Sequence, residues 1–377
     1  MQKNAIGRSD SVLDKLRLVA NMISALNRIV RFGTFLGLEF ATIDVGAIMS
    51  TNSANASPVR PLSLPGVSSI QTAIEKSAST KALTASFVPS LSGEANSMFW
   101  GGSCQVGGPG SSFVARACSL GDLKAPTTVV IYGDSFSLEW APAFNTLGIK
   151  DHFKVLLFSR KGCPFADVKT VDWEGSVDTG CLPYRHSVVE IINSLDPSPS
   201  LVGLSEETDT SEPVTSWTSG IKKTILQLRQ TKFPVDVIFG KADAASPPSA
   251  CLARYASNIT KCSTNVKADV GFQEYRQVAL AAASVHAGLI NISSLFCYDR
   301  ACPDVIAGTL VHSDSWHISQ RFATLTTHGL ASLVGCTINQ LGSLAPKSRR
   351  LLQSLLAGSN SIETKLACAS AITANGI

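Results

Sequence analysis

Residues 127–135 read Thr-Thr-Val-Val-Ile-Tyr-Gly-Asp-Ser, a β-branched run that stops abruptly at Gly133, Asp134 and Ser135. The run is apolar without alternation, the pattern of a strand covered on both faces rather than one with a wet side. Gly133 permits a sharp turn out of such a strand, and Asp134 is a common turn and N-cap residue type, so a helix is expected to open at once. The stretch therefore predicts the first strand-to-helix step of an α/β domain. It delivers the hydroxyl of Ser135 to the start of a helix, where unpaired N–H groups favour a developing negative charge.

Working outward, four further apolar runs follow at Lys154–Phe158, Leu201–Leu204, Val235–Phe239 and Leu289–Ile292. Between them lie stretches with helical spacing of apolar residues: Leu138, Phe144 and Leu147, then Val188, Ile191, Ile192 and Leu195, then Ile221, Ile225 and Leu228, then Tyr275, Val278 and Ala282. Strand and helix alternating in this way argue α/β architecture, a three-layer doubly wound parallel sheet with helices on both faces. A last helix over 319–334 closes this domain, whose limits are read as 101–336. Residues 51–100 are Ser, Ala, Thr and Pro rich and read as a linker, too sparsely apolar to close a core alone. Residues 337–377 read as a C-terminal helical extension, with an apolar start at Leu351–Leu356. Gly101, Gly102, Gly107, Gly108 and Gly110 punctuate a loop, but no strand precedes it and no helix opens from it, so it is not a dinucleotide fingerprint.

At 45% apolar and 16% charged, the 377 residues exclude wholesale disorder. Thirty-two basic against 28 acidic residues, with no basic run, give no footprint for nucleic acid. The ten cysteines are unusual for a reducing compartment, and their intervals suit sequential local disulfides: Cys104 with Cys118, Cys163 with Cys181, Cys251 with Cys262, Cys297 with Cys302, and Cys336 with Cys368. An oxidising, extracytoplasmic home is expected. Residues 1–50 carry the corresponding address: Lys3, Arg8, Lys15, Arg17, Arg28 and Arg31, then an apolar stretch over 33–49 that runs into small polar residues. That is the order of a signal peptide or membrane anchor, a weak one, because Glu39 and Asp44 each cost about 3 kcal/mol inside a spanning helix. A secreted or N-terminally anchored protein follows, and an amphipathic surface helix is the alternative.

In a doubly wound sheet, ligands sit beyond the carboxyl ends of the strands. Ser135 lies there, and Leu310–Ser319 supplies a partner in Asp314-Ser315-Trp316-His317. A carboxylate three residues before a histidine, on a loop entering a helix, can fix the ring's tautomer while its other nitrogen faces a nucleophile. Gly133-Asp134-Ser135 followed late in the chain by Asp314-x-x-His317 resembles the SGNH (GDSL-like) hydrolase superfamily, which has a flavodoxin-like sheet. The accompanying Cys104 and Cys118, Gly162-Cys163-Pro164, Cys181 and the block from Leu295 to Cys302 resemble the SGNH domain at the C-terminus of bacterial acyltransferase 3 membrane proteins.

That resemblance implies a serine O-acyltransferase or esterase acting through an acyl-enzyme, with Ser135 as nucleophile, His317 as base and then acid, and Asp314 orienting His317. It implies an oxyanion hole from the N–H of Ser135 and of Gly162. The family's usual asparagine after the third strand is missing from Leu204-Ser205-Glu206-Glu207, so either Ser205 substitutes or the hole has fewer donors. One lost donor costs about 3 kcal/mol of transition-state stabilisation. The implied partners are an acyl donor and an envelope carbohydrate acceptor, with a membrane acyltransferase in trans as a possible source of the donor, and no cofactor. A carbohydrate-binding or accessory domain with a degenerate site is the competing expectation. Cys297, Cys302, His312 and His317 imitate a zinc-finger order, but the cysteines fit the disulfide series and too few residues separate Cys302 from His312, so no metal is expected. His312 is the alternative base. His152, His186, His286 and His328 fit no catalytic spacing. Trp140 and Phe144 are expected to pack on the sheet, with a sugar-stacking role open to Trp140.

Overall fold

The computed structural model describes residues 64–83, 98–99, 104, 107–108, 115–171, 175–196, 199, 201–206, 213–228, 233–265 and 270–340. The basic segment 1–50 and the extension beyond residue 340 lie outside them. Helix α1 (Val67–Ala78) falls inside the stretch read as a linker. Val67, Ile70 and Ile74 share one of its faces and are buried in the main core beside Leu295, Phe296 and Leu330. The linker reading is therefore corrected for residues 67–78. Three aliphatic side chains cannot close a core alone, but they suffice when distant residues supply the other wall. Gln71 Nε2 fixes the docking by donating to the carbonyls of Ser294 and Cys297.

Strand β1 (Cys118–Gly121) leads into β2 (Thr128–Gly133), the short helix α2 (Ser135–Glu139), α3 (Ala141–Lys150), β3 (Lys154–Ser159) and α4 (Cys181–Ser194). Then come β4 (Leu201–Ser205), α5 (Val214–Leu228), β5 (Val235–Phe239), α6 (Pro248–Arg254), β6 (Thr264–Asn265), α7 (Val270–Ser284) and β7 (Gly288–Asn291). The short strands β8 (Ala301–Cys302), β9 (Val305–Ile306) and β10 (Thr309–Leu310), of which β8 pairs with β6 and β9 with β10, precede α8 (Gln320–Leu325) and α9 (Thr327–Gln340). The central sheet has six strands in the order β1-β3-β2-β4-β5-β7. All neighbours are parallel except β1, which runs antiparallel to β3 at the edge. The expected parallel doubly wound sheet is present, extended by one antiparallel edge strand. Cys118-Ser119-Leu120-Gly121 has no apolar run to announce it, because an edge strand has one neighbour and its side chains are only partly buried.

The parallel strands follow the 2-1-3-4-5 winding of flavodoxin-like sheets, whose switch point lies at the carboxyl ends of β2 and β4. Alternate residues of β2 feed two cores: Ile131 faces α1, α3, α8 and α9, whereas Val130 and Tyr132 face α4, α5 and α7. This is the expected three-layer arrangement. Each fully buried aliphatic side chain in those layers is worth about 1.5–3 kcal/mol relative to exposure. Four of the expected disulfides are formed, Cys104–Cys118, Cys163–Cys181, Cys251–Cys262 and Cys297–Cys302. The proposed partner of Cys336, Cys368, lies outside the described residues. Among the described residues no helix is long and apolar enough to cross a membrane.

Candidate active site

The end of β2 is locked by its two neighbouring strands. Gly133 lies level with Ser159 of β3 and Ser205 of β4, and a Cβ at Gly133 would overlap the Ser205 carbonyl, so only glycine lets the strands approach this closely. Asp134 caps α2 as expected: its Oδ1 accepts the Phe136 N–H at 2.8 Å. Its carbonyl accepts the hydroxyls of Ser137 and Ser159, each at 2.7 Å. Ser135 is thereby presented as the first residue of α2, 5% exposed.

His317 arrives on the loop between β10 and α8. Its Nε2 lies 2.9 Å from Ser135 Oγ and its Nδ1 lies 2.8 Å from Asp314 Oδ2. A carboxylate can only accept, so Nδ1 carries the proton and Nε2 is left to accept the serine hydroxyl. The other carboxylate oxygen of Asp314 accepts the backbone N–H groups of Trp316 at 2.8 Å and His317 at 2.7 Å. Partial burial pushes the Asp314 carboxyl up. The hydrogen bond and charge of His317, helped by those two backbone donors, outweigh burial and hold it at about 2. The Phe136 ring meets the imidazole edge-on, with centroids 5.5 Å apart. The structure thus brings together the three residues read from the sequence as nucleophile, base and orienting acid.

His312 is elsewhere. Its Nε2 donates to the Ala242 carbonyl at 2.8 Å, and its Nδ1 lies 3.4 Å from Asp304 Oδ1, with both side chains buried. Cys297 and Cys302 are bonded to each other, and among the described residues no group of three His, Cys, Asp or Glu side chains is arranged to hold a metal. Trp140 is 1% exposed and packs edge-on against Phe296, so the sugar-stacking role left open for it is withdrawn. The exposed indole at this site is Trp316, at 54%, between Asp314 and His317.

Gly162 follows β3 in a turn with φ 65°, a conformation that favours glycine. The turn is held by the Cys163–Cys181 disulfide and by Arg160, which pairs with Asp178 and donates to the Gly108 carbonyl at 2.9 Å. Ser205 ends β4 and is 5% exposed. Gly162 and Ser205 therefore leave the same end of the sheet as Ser135, on strands that flank β2.

Two acids and a lysine at this end were missed in the sequence. Glu206 is buried, its Oε2 accepts the Ala166 N–H at 2.8 Å, and burial pushes its carboxyl well above the ordinary range. Glu139, on α2, accepts the Ile318 N–H at 2.9 Å, and burial pushes it up to about 8 against the pull of Lys241. Lys241 follows β5 and is buried, with its Nζ 3.9 Å from Glu139 Oε2, 3.1 Å from Asp243 Oδ1 and 3.4 Å above the Phe136 ring. The available signal was positional: Glu139 stands one helical turn beyond Ser135, and Lys241 just past a strand's carboxyl end.

No curated protein matches the sequence. Among solved structures, the periplasmic domain of the lipopolysaccharide acetyltransferase of Salmonella ser. Paratyphi A is 14% identical with a TM-score of 0.50, over 67% of this chain and 97% of that one. At that identity the likeness speaks for the fold. A GDSL-like lipase from Bacteroides thetaiotaomicron is 10% identical with a TM-score of 0.32, over 57% of this chain and 86% of its own. An acetylxylan esterase from Geobacillus stearothermophilus is 11% identical with a TM-score of 0.29, over 50% of this chain and 90% of its own. The family model described as "SGNH domain (fused to AT3 domains)" matches residues 103–331, which takes in both ends of the Ser135–His317–Asp314 line. Since that match spans more than half of the chain, the protein belongs to the SGNH domain family.

Proposed function

We propose that this domain transfers or hydrolyses O-acyl esters through an acyl-enzyme on Ser135. The observation that carries the reading is the continuous line from Ser135 Oγ through His317 to Asp314, at 2.9 and 2.8 Å. His317 Nε2 takes the serine proton as Oγ attacks the acyl carbon, and returns it to the leaving alcohol. Asp314, ionised across the physiological range, holds the ring and stabilises the imidazolium formed on the way. The acyl-enzyme is then attacked by a second hydroxyl, deprotonated by the same nitrogen. The N–H groups of Ser135 and Gly162 are assigned to the oxyanion, and Ser205, at the end of β4, is the candidate for the third donor that the family pattern assigns to an asparagine.

An envelope carbohydrate is the proposed acceptor, outside the cytoplasm, with the donor supplied by a membrane acyltransferase in trans. The disulfides support the oxidising compartment. Trp316 supports a sugar: its indole is exposed, and its backbone N–H is tied to Asp314, so an apolar ring face can be met beside the base at little entropic cost. A binding-only descendant has no need of a histidine aligned between a serine and an acid, which counts against that alternative.

The test is labelling with a fluorophosphonate followed by peptide mapping. One adduct, on Ser135, is expected in the wild-type protein, with none in Ser135→Ala. Absence of any adduct at a millimolar probe concentration, with the protein folded, would leave the binding-domain reading in its place.

A further inference from the structure

We infer that Glu139 and Lys241 form a buried clip that positions His317 by holding the backbone on either side of it. This rests on the assignment of Ser135 and His317 as nucleophile and base. Glu139 Oε2 accepts the N–H of Ile318, the residue after the base, at 2.9 Å. Lys241 Nζ donates to the carbonyl of Trp316, the residue before it. Glu139 lies on α2 with Ser135, so one short helix carries both the nucleophile and the acceptor that anchors the base loop. Lys241 comes from a different part of the fold, the loop that follows β5, and its ammonium also covers the ring of Phe136, which abuts the imidazole of His317. Asp314 thus holds the N–H groups of residues 316 and 317, while Lys241 takes the carbonyl of 316 and Glu139 the N–H of 318. Both side chains are at most 3% exposed, so their hydrogen bonds do not compete with water.

Neither group reaches the reacting atoms, so both are positioning residues rather than catalytic ones. Their contribution appears in turnover, because a base displaced by about 1 Å costs on the order of 100-fold while leaving ground-state binding in place. Burying an acid and a base beneath a loop is also costly unless they partner something, and here the partner is the loop backbone.

The experiment uses the full chain and p-nitrophenyl acetate. Glu139→Ala and Lys241→Met are each expected to lower kcat by about 30- to 100-fold, with KM changed by less than about threefold. They are also expected to slow fluorophosphonate labelling of Ser135 in proportion. Glu139→Gln, which keeps an acceptor for the Ile318 N–H, and Lys241→Arg, which keeps a donor for the Trp316 carbonyl, are expected to recover most of each loss. A role in folding alone would lower thermal stability without this split and without the graded rescue. Should Glu139→Ala fail to fold, the comparison passes to Lys241→Met against Lys241→Arg. Folded variants with wild-type kcat, or with the loss confined to KM, overturn the proposal. Ser135→Ala and His317→Ala separate it from the underlying reading: if these stay active the nucleophile assignment fails, and if they are dead while the clip variants match wild type, only the clip fails.

Discussion

His312 and His317 stand on one loop with the same ring, and their neighbours decide which can serve as a base. His317 has a serine on one nitrogen and a carboxylate on the other, whereas His312 spends Nε2 on a backbone carbonyl. Ser135→Ala and His317→Ala are therefore expected to lower kcat/KM for p-nitrophenyl acetate by at least about 1,000-fold with near-UV circular dichroism unchanged. His312→Gln should stay within about tenfold of wild type. Asp314→Asn should cost about 100- to 10,000-fold through the wrong tautomer of His317. Acid stability gives a second test. The Asp314 carboxyl is held at about 2, below its ordinary 3.8, so its contribution to stability is complete above pH 4 and is lost as pH falls through 2. With the side chain 37% exposed, solvent screening reduces that contribution to about 1 kcal/mol. Glu139 has the opposite sign. Its folded carboxyl titrates near 8 against an ordinary 4.5, so the folded state keeps a proton that the unfolded chain has lost, and stability declines as pH rises across that window. Urea titrations from pH 2 to 9 should show Asp314→Asn flattening the acid limb and Glu139→Gln flattening the neutral one.

At the scale of elements, α1 and the Gly162 turn carry the sharpest consequences. Ile70 and Ile74 are fully buried in the core shared with Leu295, Phe296 and Leu330, and a Cβ on Gly329 would strike Ile70 Cδ1 and Leu295 Cδ2, so this contact is close-packed. Ile70→Ala is expected to cost about 2–5 kcal/mol by urea denaturation, the range for a core cavity. A linker residue would cost almost nothing. The turn after β3 depends on the Cys163–Cys181 bond, which closes 18 residues of chain and is worth about 3 kcal/mol by loop entropy. Cys163→Ser with Cys181→Ser should lose that stability and also lower kcat, because Gly162 lies in the loosened turn. Peptide mapping without reductant that found crossed pairs among the four described bridges would overturn the pairing. Strands β2, β3, β4, β5 and β7 were legible as apolar runs because they lie inside a sheet covered by helices on both faces, whereas the two-residue strands β6, β8, β9 and β10 are too short to leave a pattern. Both α1 and β1 were not, since each presents little apolar sequence of its own and depends on a surface supplied from elsewhere.

At the scale of the whole molecule, the proposed acyl-enzyme would serve hydrolysis or transfer alike, and the outcome would turn on which hydroxyl reaches His317 in line while water is kept out. Transfer is the expected preference. Purified protein given p-nitrophenyl acetate with and without envelope sugars should form acetylated sugar, detected by mass spectrometry, and release p-nitrophenol faster with acceptor present; equal rates and no product across a broad panel would make it a plain esterase. The sequence by itself determined the alternation of strand and helix in a parallel three-layer sheet, the identities of Ser135, Asp314 and His317 as candidates, and the neighbour pairing of the described cysteines. Each of these is written in local order: apolar runs, a turn tripeptide, an acid three residues from a histidine, short intervals. Tertiary structure alone decided that His317 rather than His312 meets Ser135, that residues 67–78 belong to the core, and that Glu139 and Lys241 grip the base loop from two different parts of the fold. The reason is physical: hydrogen bonding and burial act over a few ångströms in space, and residues distant in the chain acquire those distances only when the sheet has assembled.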